Sequence, residues 1–186
     1  SYRNLAEKGG PEFSVEQAKA IAASFEITDG PNADGEMFLR PGKLSDKFVM
    51  PYENVKAAQA ANGGAYPPDM SVLVKARGGG ANYIYSLLQG YEDPPIGTTL
   101  DDGVYYNKFM YGNKIKMANP LSDGLVEYSD GTEATVEQMS KDITTFLMWA
   151  AEPHLEARHQ MGFKAIIYLI ILTILVYFSM KRIWSR

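Results

Sequence analysis

Residues 105–121 read YYNKFMYGNKIKMANPL. Asn, Gly and Lys interrupt any apolar period and Pro120 follows closely, so the stretch makes a poor helix and a poor strand and is expected to be an ordered loop. Near its end stands Met117, between Ile115 and the run Ala118, Asn119 and Pro120. Local sequence leaves two readings open. A thioether here is a gap-filling core side chain, the commoner role of methionine, or a soft ligand for a metal.

Outward from this loop, the strongest physical signal is residues 163–180, FKAIIYLIILTILVYFSM. As a helix this run spans roughly 27 Å at 1.5 Å per residue, close to the hydrocarbon thickness of a bilayer. A buried core helix is the competing reading, but so continuous an apolar run favours a single membrane crossing, and its place in the chain is wrong for a signal peptide. Lys164 can extend towards the headgroups, while Tyr177, Phe178 and Trp184 suit the far interface. Lys181, Arg182 and Arg186 predict a tail on the cytoplasmic or matrix side, with the preceding domain in a periplasm or intermembrane space. The expected division is a domain over 1–162, an anchor over 163–180 and a tail over 181–186.

Charge is unevenly spread. All 22 acidic residues lie before Phe163, together with 14 of the 18 basic ones. An acidic domain argues against nucleic acid and for a basic partner, although solubility alone also explains such a balance. With no cysteine in the chain, disulfides are excluded and cysteine usage says nothing about redox compartment.

Taken in order, residues 1–11 have no apolar period and read as a loop. Ser14 opens a helix, with Gln17 completing a capping box and Val15, Ala18, Ile21, Ala22 and Phe25 along one face. Residues 29–35 (DGPNADG) are turn chemistry, and Asp29, Asp34, Glu26 and Glu36 form an acidic cluster. Residues 40–51 read as a Pro-bounded connector. Their Gly42-Lys43 is no phosphate loop, because Leu44 stands where Ser or Thr is required. Further helices are expected over about 52–61, 70–76 with Asp69 as N-cap, and 81–89, where Tyr83, Leu87 and Leu88 share an inward face. The triple glycine 78–80 lacks the G-x-G-x-x-G pattern of a dinucleotide site. Residues 127–135 (EYSDGTEAT) suggest a small hairpin or tight loop. Thr135 and Gln138 read as a second capping box, opening a helix with Met139, Ile143, Phe146, Leu147 and Ala150 on one face until Pro153 breaks it.

Several long blocks carry a family likeness: GEMFLRPGKLSD (35–46), NGGAYPPDMS (62–71), KARGGGANYIYSLLQGYEDPP (75–95), the Met117 loop, EYSDGTEAT and WAAEP (149–153), followed by the apolar run. In this order they closely resemble the cytochrome c1 family, the haem subunit of the cytochrome bc1 complex. The resemblance implies a mainly α c-type cytochrome domain with a single C-terminal transmembrane helix. It makes haem c the cofactor and Met117 the sixth, axial ligand of its iron. It also implies that Asn62, Pro67 and Pro68 lie against the haem, that Arg77 pairs with a propionate, and that Tyr83, Leu87, Leu88 and Ile115 pack on the ring. The implied partners are cytochrome b, the Rieske iron-sulfur protein as electron donor and a soluble cytochrome c as acceptor. The implied setting is a bacterial inner membrane with the domain in the periplasm, or a mitochondrial inner membrane with it in the intermembrane space. No acid, base or nucleophile is expected.

One departure qualifies the likeness. A c-type haem is attached through a C-x-x-C-H motif whose His is the other axial ligand, yet the chain has no Cys, and His154 and His159 adjoin the membrane run. In the family this motif precedes a segment like SYRNLAEKGGP, with which the chain begins, so a C-terminal fragment of a longer polypeptide is expected. Two rivals remain: a haem-free, membrane-tethered interaction domain, and a metal protein using His154 and His159. Histidines five apart do not share a helical face.

Overall fold

The computed structural model describes residues 1–185; Arg186, part of the basic cluster of the tail, lies outside the described residues. Helices dominate. They are α1 (Val15–Ala23), α2 (Val55–Ala61), α3 (Gly80–Gln89), α4 (Val136–Ala151) and α5 (Leu155–Trp184), with two antiparallel strand pairs, β1 (Glu26–Asp29) with β2 (Phe38–Pro41) and β3 (Tyr105–Tyr106) with β4 (Lys114–Ile115).

Two small cores organise the chain. In the larger, α3 packs on α4 through Ile84, Leu88 and Met139, joined by Leu73, Val74 and Leu121. In the smaller, Tyr2 and Leu5 of the 3-10 turn Tyr2–Ala6 pack on Ala18 and Ala22 of α1, with Trp149 from the end of α4 against them. The opening segment, unreadable by periodicity, is thus a core element. Tyr2 is 1% exposed, and its ring lies 5.9 Å from that of Phe25 and 4.8 Å from that of Phe48.

Local chemistry explains most element ends. Ser14 Oγ accepts from the Gln17 N–H at 3.1 Å while Gln17 Oε1 accepts from the Ser14 N–H at 2.9 Å, the reciprocal box that the spacing predicts. On α1 only the small Ala18 and Ala22 are buried, whereas Val15 is 56% exposed and Phe25, just past the helix, 44%. The close approach of the 3-10 turn selects alanine there. Thr135 caps α4 by accepting from the Gln138 N–H at 3.1 Å, and the Asp123 carboxylate takes the Val136 N–H at 2.7 Å. The buried residues of α4 are Met139, Ser140 and Thr144, while Phe146 is 46% exposed, so its inner face is rotated from the one expected. Residues 127–135 form a tight loop, with Asp130 Oδ1 accepting from the Thr132 N–H at 3.0 Å.

Further stretches differ from expectation. The first two residues of the supposed connector, Arg40 and Pro41, end strand β2, which pairs with β1 in the register Glu26↔Pro41 to Asp29↔Phe38. Arg40 clamps this hairpin, forming an ion pair with Asp29 and a two-pronged one with Asp46 at 2.7 and 3.2 Å. Asp29 is therefore partly neutralised within the acidic cluster. α2 starts at Val55 rather than about 52, because Asn54 supplies the cap, accepting from the Ala57 N–H at 2.9 Å. Over 70–76 there is a 3-10 turn, Met70–Val72, in place of a helix. Asp69 opens it, accepting from the Ser71 N–H at 2.8 Å.

α4 ends at Ala151 and α5 begins at Leu155, on either side of Pro153. The 30 residues of α5 extend about 45 Å at 1.5 Å per residue, longer than the apolar run because its first turns are polar. Its apolar window is entirely unburied, and it is long and apolar enough to cross a membrane.

Candidate functional site

The loop 105–121 is ordered by short-range pairing and by α3. β3 and β4 bring Tyr105 opposite Ile115 and Tyr106 opposite Lys114. Between them the chain turns through Gly112 at φ 75° and Asn113 at φ 57°. The second of these is a left-handed position that asparagine tolerates, and the Asn113 amide donates to the Tyr106 hydroxyl at 3.2 Å.

Asn107 is the hub. It is fully buried. Its carboxamide donates to the Leu87 carbonyl at 2.8 Å and accepts from the Phe109 N–H at 3.0 Å. Its backbone N–H reaches Asn113 O at 3.1 Å, and the next amide, Lys108, donates to Gly90 O at 3.0 Å. One loop residue thereby closes the turn and fastens it to the C-terminal end of α3.

Two further tethers flank Asn107. The Tyr83 hydroxyl lies 3.4 Å from Met110 Sδ, and the Tyr91 hydroxyl donates to the Met117 carbonyl at 3.1 Å. Burial pushes the Tyr91 phenol up to about 12, so it remains a protonated donor at neutral pH. Positions 83, 87 and 91 step by four residues and form one line along α3 and just past its end. Ile84 and Leu88, on the adjoining side, enter the core. Beyond Met117, Asn119 Oδ1 accepts from the Leu121 N–H at 3.2 Å, and Leu121 is buried in the larger core. The ligand candidate thus sits between two anchors.

The structure pins Tyr83, Leu87 and Met117 separately to the junction of α3 and the loop, Tyr83 by Met110, Leu87 by Asn107 and Met117 by Tyr91, with Ile115 on β4; all four are half-buried. Leu88 lies inside the core at 7% exposure. Asn62 is held within its own loop, donating to Ala58 O at 2.7 Å and to the Tyr52 hydroxyl at 3.2 Å, with Pro67 half-buried and Pro68 exposed. Among the described residues no hydrogen bond joins that loop to the Met117 loop. Arg77 is exposed, donates to Ala76 O at 3.2 Å, and forms no ion pair among the described residues. His154 Nδ1 lies 3.8 Å from a Glu7 carboxylate oxygen. No cluster of three or more His, Cys, Asp or Glu residues occurs among the described residues.

This donor set suits one side of a haem. It offers two thioethers on a pinned loop, Met110 against the Tyr83 hydroxyl and Met117, aromatic and aliphatic neighbours, and a guanidinium whose only protein hydrogen bond among the described residues is to a neighbouring carbonyl. Apolar side chains left uncovered nearby in sequence, Val55 at 52%, Met70 at 42%, Val72 at 50% and Phe109 at 46% exposure, fit a site that an apolar group covers. The 186 residues contain no cysteine, so they supply no donor for covalent attachment. Sequence reading missed Asn107 and Tyr91. The four-residue step from Tyr83 to Tyr91 was a usable signal for the tyrosine; nothing but burial marks the asparagine.

Comparison with known proteins gives the family of the chain. The Cytochrome C1 family matches residues 1–186. A mitochondrial protein of Arabidopsis thaliana, cytochrome c1 1, heme protein, is 51% identical over 185 residues, covering 100% of this chain and 59% of its own length. The cytochrome b/c1 of Bradyrhizobium diazoefficiens is 49% identical over 204 residues, covering 100% of this chain and 30% of its own. The mitochondrial cytochrome b-c1 complex catalytic subunit of Candida albicans is 47% identical, covering 100% of this chain and 64% of its own. The chain therefore spans between about a third and two thirds of the length of these relatives.

Proposed function

The chain belongs to the cytochrome c1 family, and on that premise we propose that it forms the methionine-ligand side of a haem c site in the electron-transfer subunit of a quinol:cytochrome c oxidoreductase. One electron enters from the iron-sulfur cluster of the Rieske protein and leaves to a soluble c-type cytochrome, with cytochrome b as the partner within the membrane. Residues 1–162 form the haem domain, 163–180 the anchor and 181–186 a cytoplasmic or matrix tail. The domain then faces a periplasm, or in the mitochondrial alternative the intermembrane space.

The observation that carries this reading is the fastening of Met117, whose carbonyl is held by Tyr91 while Leu121 is locked in the core. When bound, the haem would supply one-electron chemistry, and a thioether ligand such as Met117 would favour its ferrous form. Everything else falls to the polypeptide. Met117 provides the thioether. Tyr83, Leu87 and Ile115 give the apolar surroundings, backed by Leu88 from the core. Arg77 offers the charge for a propionate, and Asn62, Pro67 and Pro68 furnish a further wall. No side chain here acts as acid, base or nucleophile.

The test is a redox titration of the haem-bearing protein carrying Met117→Leu. Leucine fills similar space without ligating iron, and axial ligands move haem potentials over a range of about 0.8 V, so a fall on the order of hundreds of millivolts is expected. An unchanged potential removes Met117 from the site. A natural protein with no reduced haem spectrum at all leaves the membrane-tethered interaction domain in its place.

A further inference from the structure

The strongest unassigned constellation is the junction between the end of α3 and the Met117 loop. Asn107 is fully buried and polar, and a buried amide is retained only where its hydrogen bonds are made. Both ends of its carboxamide are engaged, by Leu87 O at 2.8 Å and the Phe109 N–H at 3.0 Å. Gly90 lies against it so closely that a Cβ there would meet Asn107 Oδ1 at 2.5 Å. One residue further on, Tyr91 reaches across to Met117 O at 3.1 Å.

We propose that Asn107 and Tyr91 are positioning residues for the axial thioether: they fasten the Met117 loop to α3 and so limit how often the Met117 sulfur leaves the iron. This inference rests on the reading of Met117 as the haem ligand. The physical ground is the loop's own poverty of structure. Between Tyr106 and Lys114 it has one 3-10 turn, and beyond Ile115 no regular element until α4. Such a segment opens locally at small cost unless side chains hold it. Asn107 holds its start and Tyr91 holds the ligand residue itself. Neither need touch the haem, so both act through Met117.

The experiment uses the haem-bearing protein in its membrane complex, with carbon monoxide as a probe that binds reduced haem iron only when the methionine is displaced. Four variants are compared: Tyr91→Phe, Asn107→Leu, Met117→Leu and the control Tyr85→Phe. Tyr85 lies within α3, two turns or less before Tyr91, but its hydroxyl faces Glu137 of α4 at 3.4 Å. A net hydrogen bond is worth enough to shift a local opening equilibrium about three- to ten-fold, so Tyr91→Phe should react with carbon monoxide faster than Tyr85→Phe by that factor. Unfolding midpoints should stay alike. In Asn107→Leu the amides of Lys108 and Phe109, now bound to Gly90 O and Asn107 Oδ1, should exchange with deuterium on the order of ten-fold faster.

Equal carbon monoxide rates in Tyr91→Phe and Tyr85→Phe overturn the proposal if Met117→Leu is fast. If Met117→Leu also reacts no faster than the parent, the assignment of Met117 itself fails. Should Asn107→Leu not yield folded protein, the comparison of the two tyrosine variants decides alone.

Discussion

Gly90→Ala gives the sharpest test of how the loop meets α3. Gly90 has φ −86° and ψ 3°, a backbone that alanine adopts freely, so the substitution introduces no conformational strain of its own. Its effect is purely a matter of space. A Cβ would lie 2.5 Å from Asn107 Oδ1, 2.7 Å from Phe109 Cδ2 and 3.1 Å from Asn107 Cγ. The Asn107 side chain, fully buried, has no solvent to retreat into. Either its carboxamide swings away, surrendering the bonds to Leu87 O and the Phe109 N–H, or the loop backbone moves off the helix end. The first route costs about 1–3 kcal/mol for each buried group left unpaired; the second, as overpacking, costs about 1–3 kcal/mol. We expect a loss of about 2–4 kcal/mol, a large share of the roughly 5–15 kcal/mol by which domains are stable. Gly78→Ala is the matched control, since a Cβ there meets nothing within 4 Å and its φ is not positive; it should be neutral or stabilising by about 0.4–1 kcal/mol through the unfolded chain. The assay is urea denaturation of the haem-bearing protein, read as a midpoint change at constant slope. A Gly90→Ala loss no larger than that of Gly78→Ala would refute the argument that Asn107 is wedged.

Other outcomes follow from the same structure. Tyr2→Ala should cost about 3–5 kcal/mol in the same denaturation assay, because an aromatic side chain only 1% exposed is removed from the smaller core; a loss under about 1 kcal/mol would show that the opening segment is not a core element. The Arg40 guanidinium, with the Lys43 N–H, holds the Asp46 carboxyl down to about 2 from an ordinary 3.8, and Arg40 also lowers Asp29. Depressed carboxylates contribute stability that is complete above about pH 4 and lost as pH falls towards 2, so Arg40→Met should flatten acid unfolding in that window, and an unaltered acid profile would exclude the network as its source. Electron transfer to a basic cytochrome c should slow as salt rises, and Asp34→Asn with Glu36→Gln should weaken that dependence; a flat salt profile in the parent would remove electrostatic docking altogether. Asp29 is left out of that pair because Arg40 already compensates it.

Features set within a few residues were legible in the sequence. The Ser14–Gln17 box, the Asp69 cap, the break at Pro153 and the long apolar run each depend on neighbours along the chain, and each is found where the spacing put it. Features set by distant partners were not. β1 and β2 are four residues each, too short to show a period, and their pairing is clamped by an arginine whose carboxylate partners lie at 29 and 46. Tyr2 and Leu5 become core only because α1 presents alanines to them. At the candidate site Met117 was singled out by its family likeness, since a lone thioether reads as packing. An asparagine in a loop reads as a turn former, so Asn107 gave no warning that it is the buried peg on which the turn is hung.

These two kinds of feature meet in α3, and that has a consequence for how the site is held. Ile84 and Leu88 face α4 in the core, while Tyr83, Leu87 and Tyr91 hold the loop. A residue that fixes the core therefore also fixes the platform from which Met117 is positioned, and α4 in turn runs directly to the membrane helix across Pro153. Glu152, at that junction, receives Lys75 at 2.6 Å and also pairs with Arg158 of α5. Its carboxyl is held below the ordinary range first by Lys75 and then by Arg158. Lys75 directly follows Val74 of the larger core, so one carboxylate links the segment leading into α3 with the first turns of α5. The start of α5 and the platform under the Met117 loop are thus joined through Glu152, Lys75 and Val74 of the larger core. On the proposed reading of Met117, seating α5 in a membrane would orient the Met117 face relative to the bilayer.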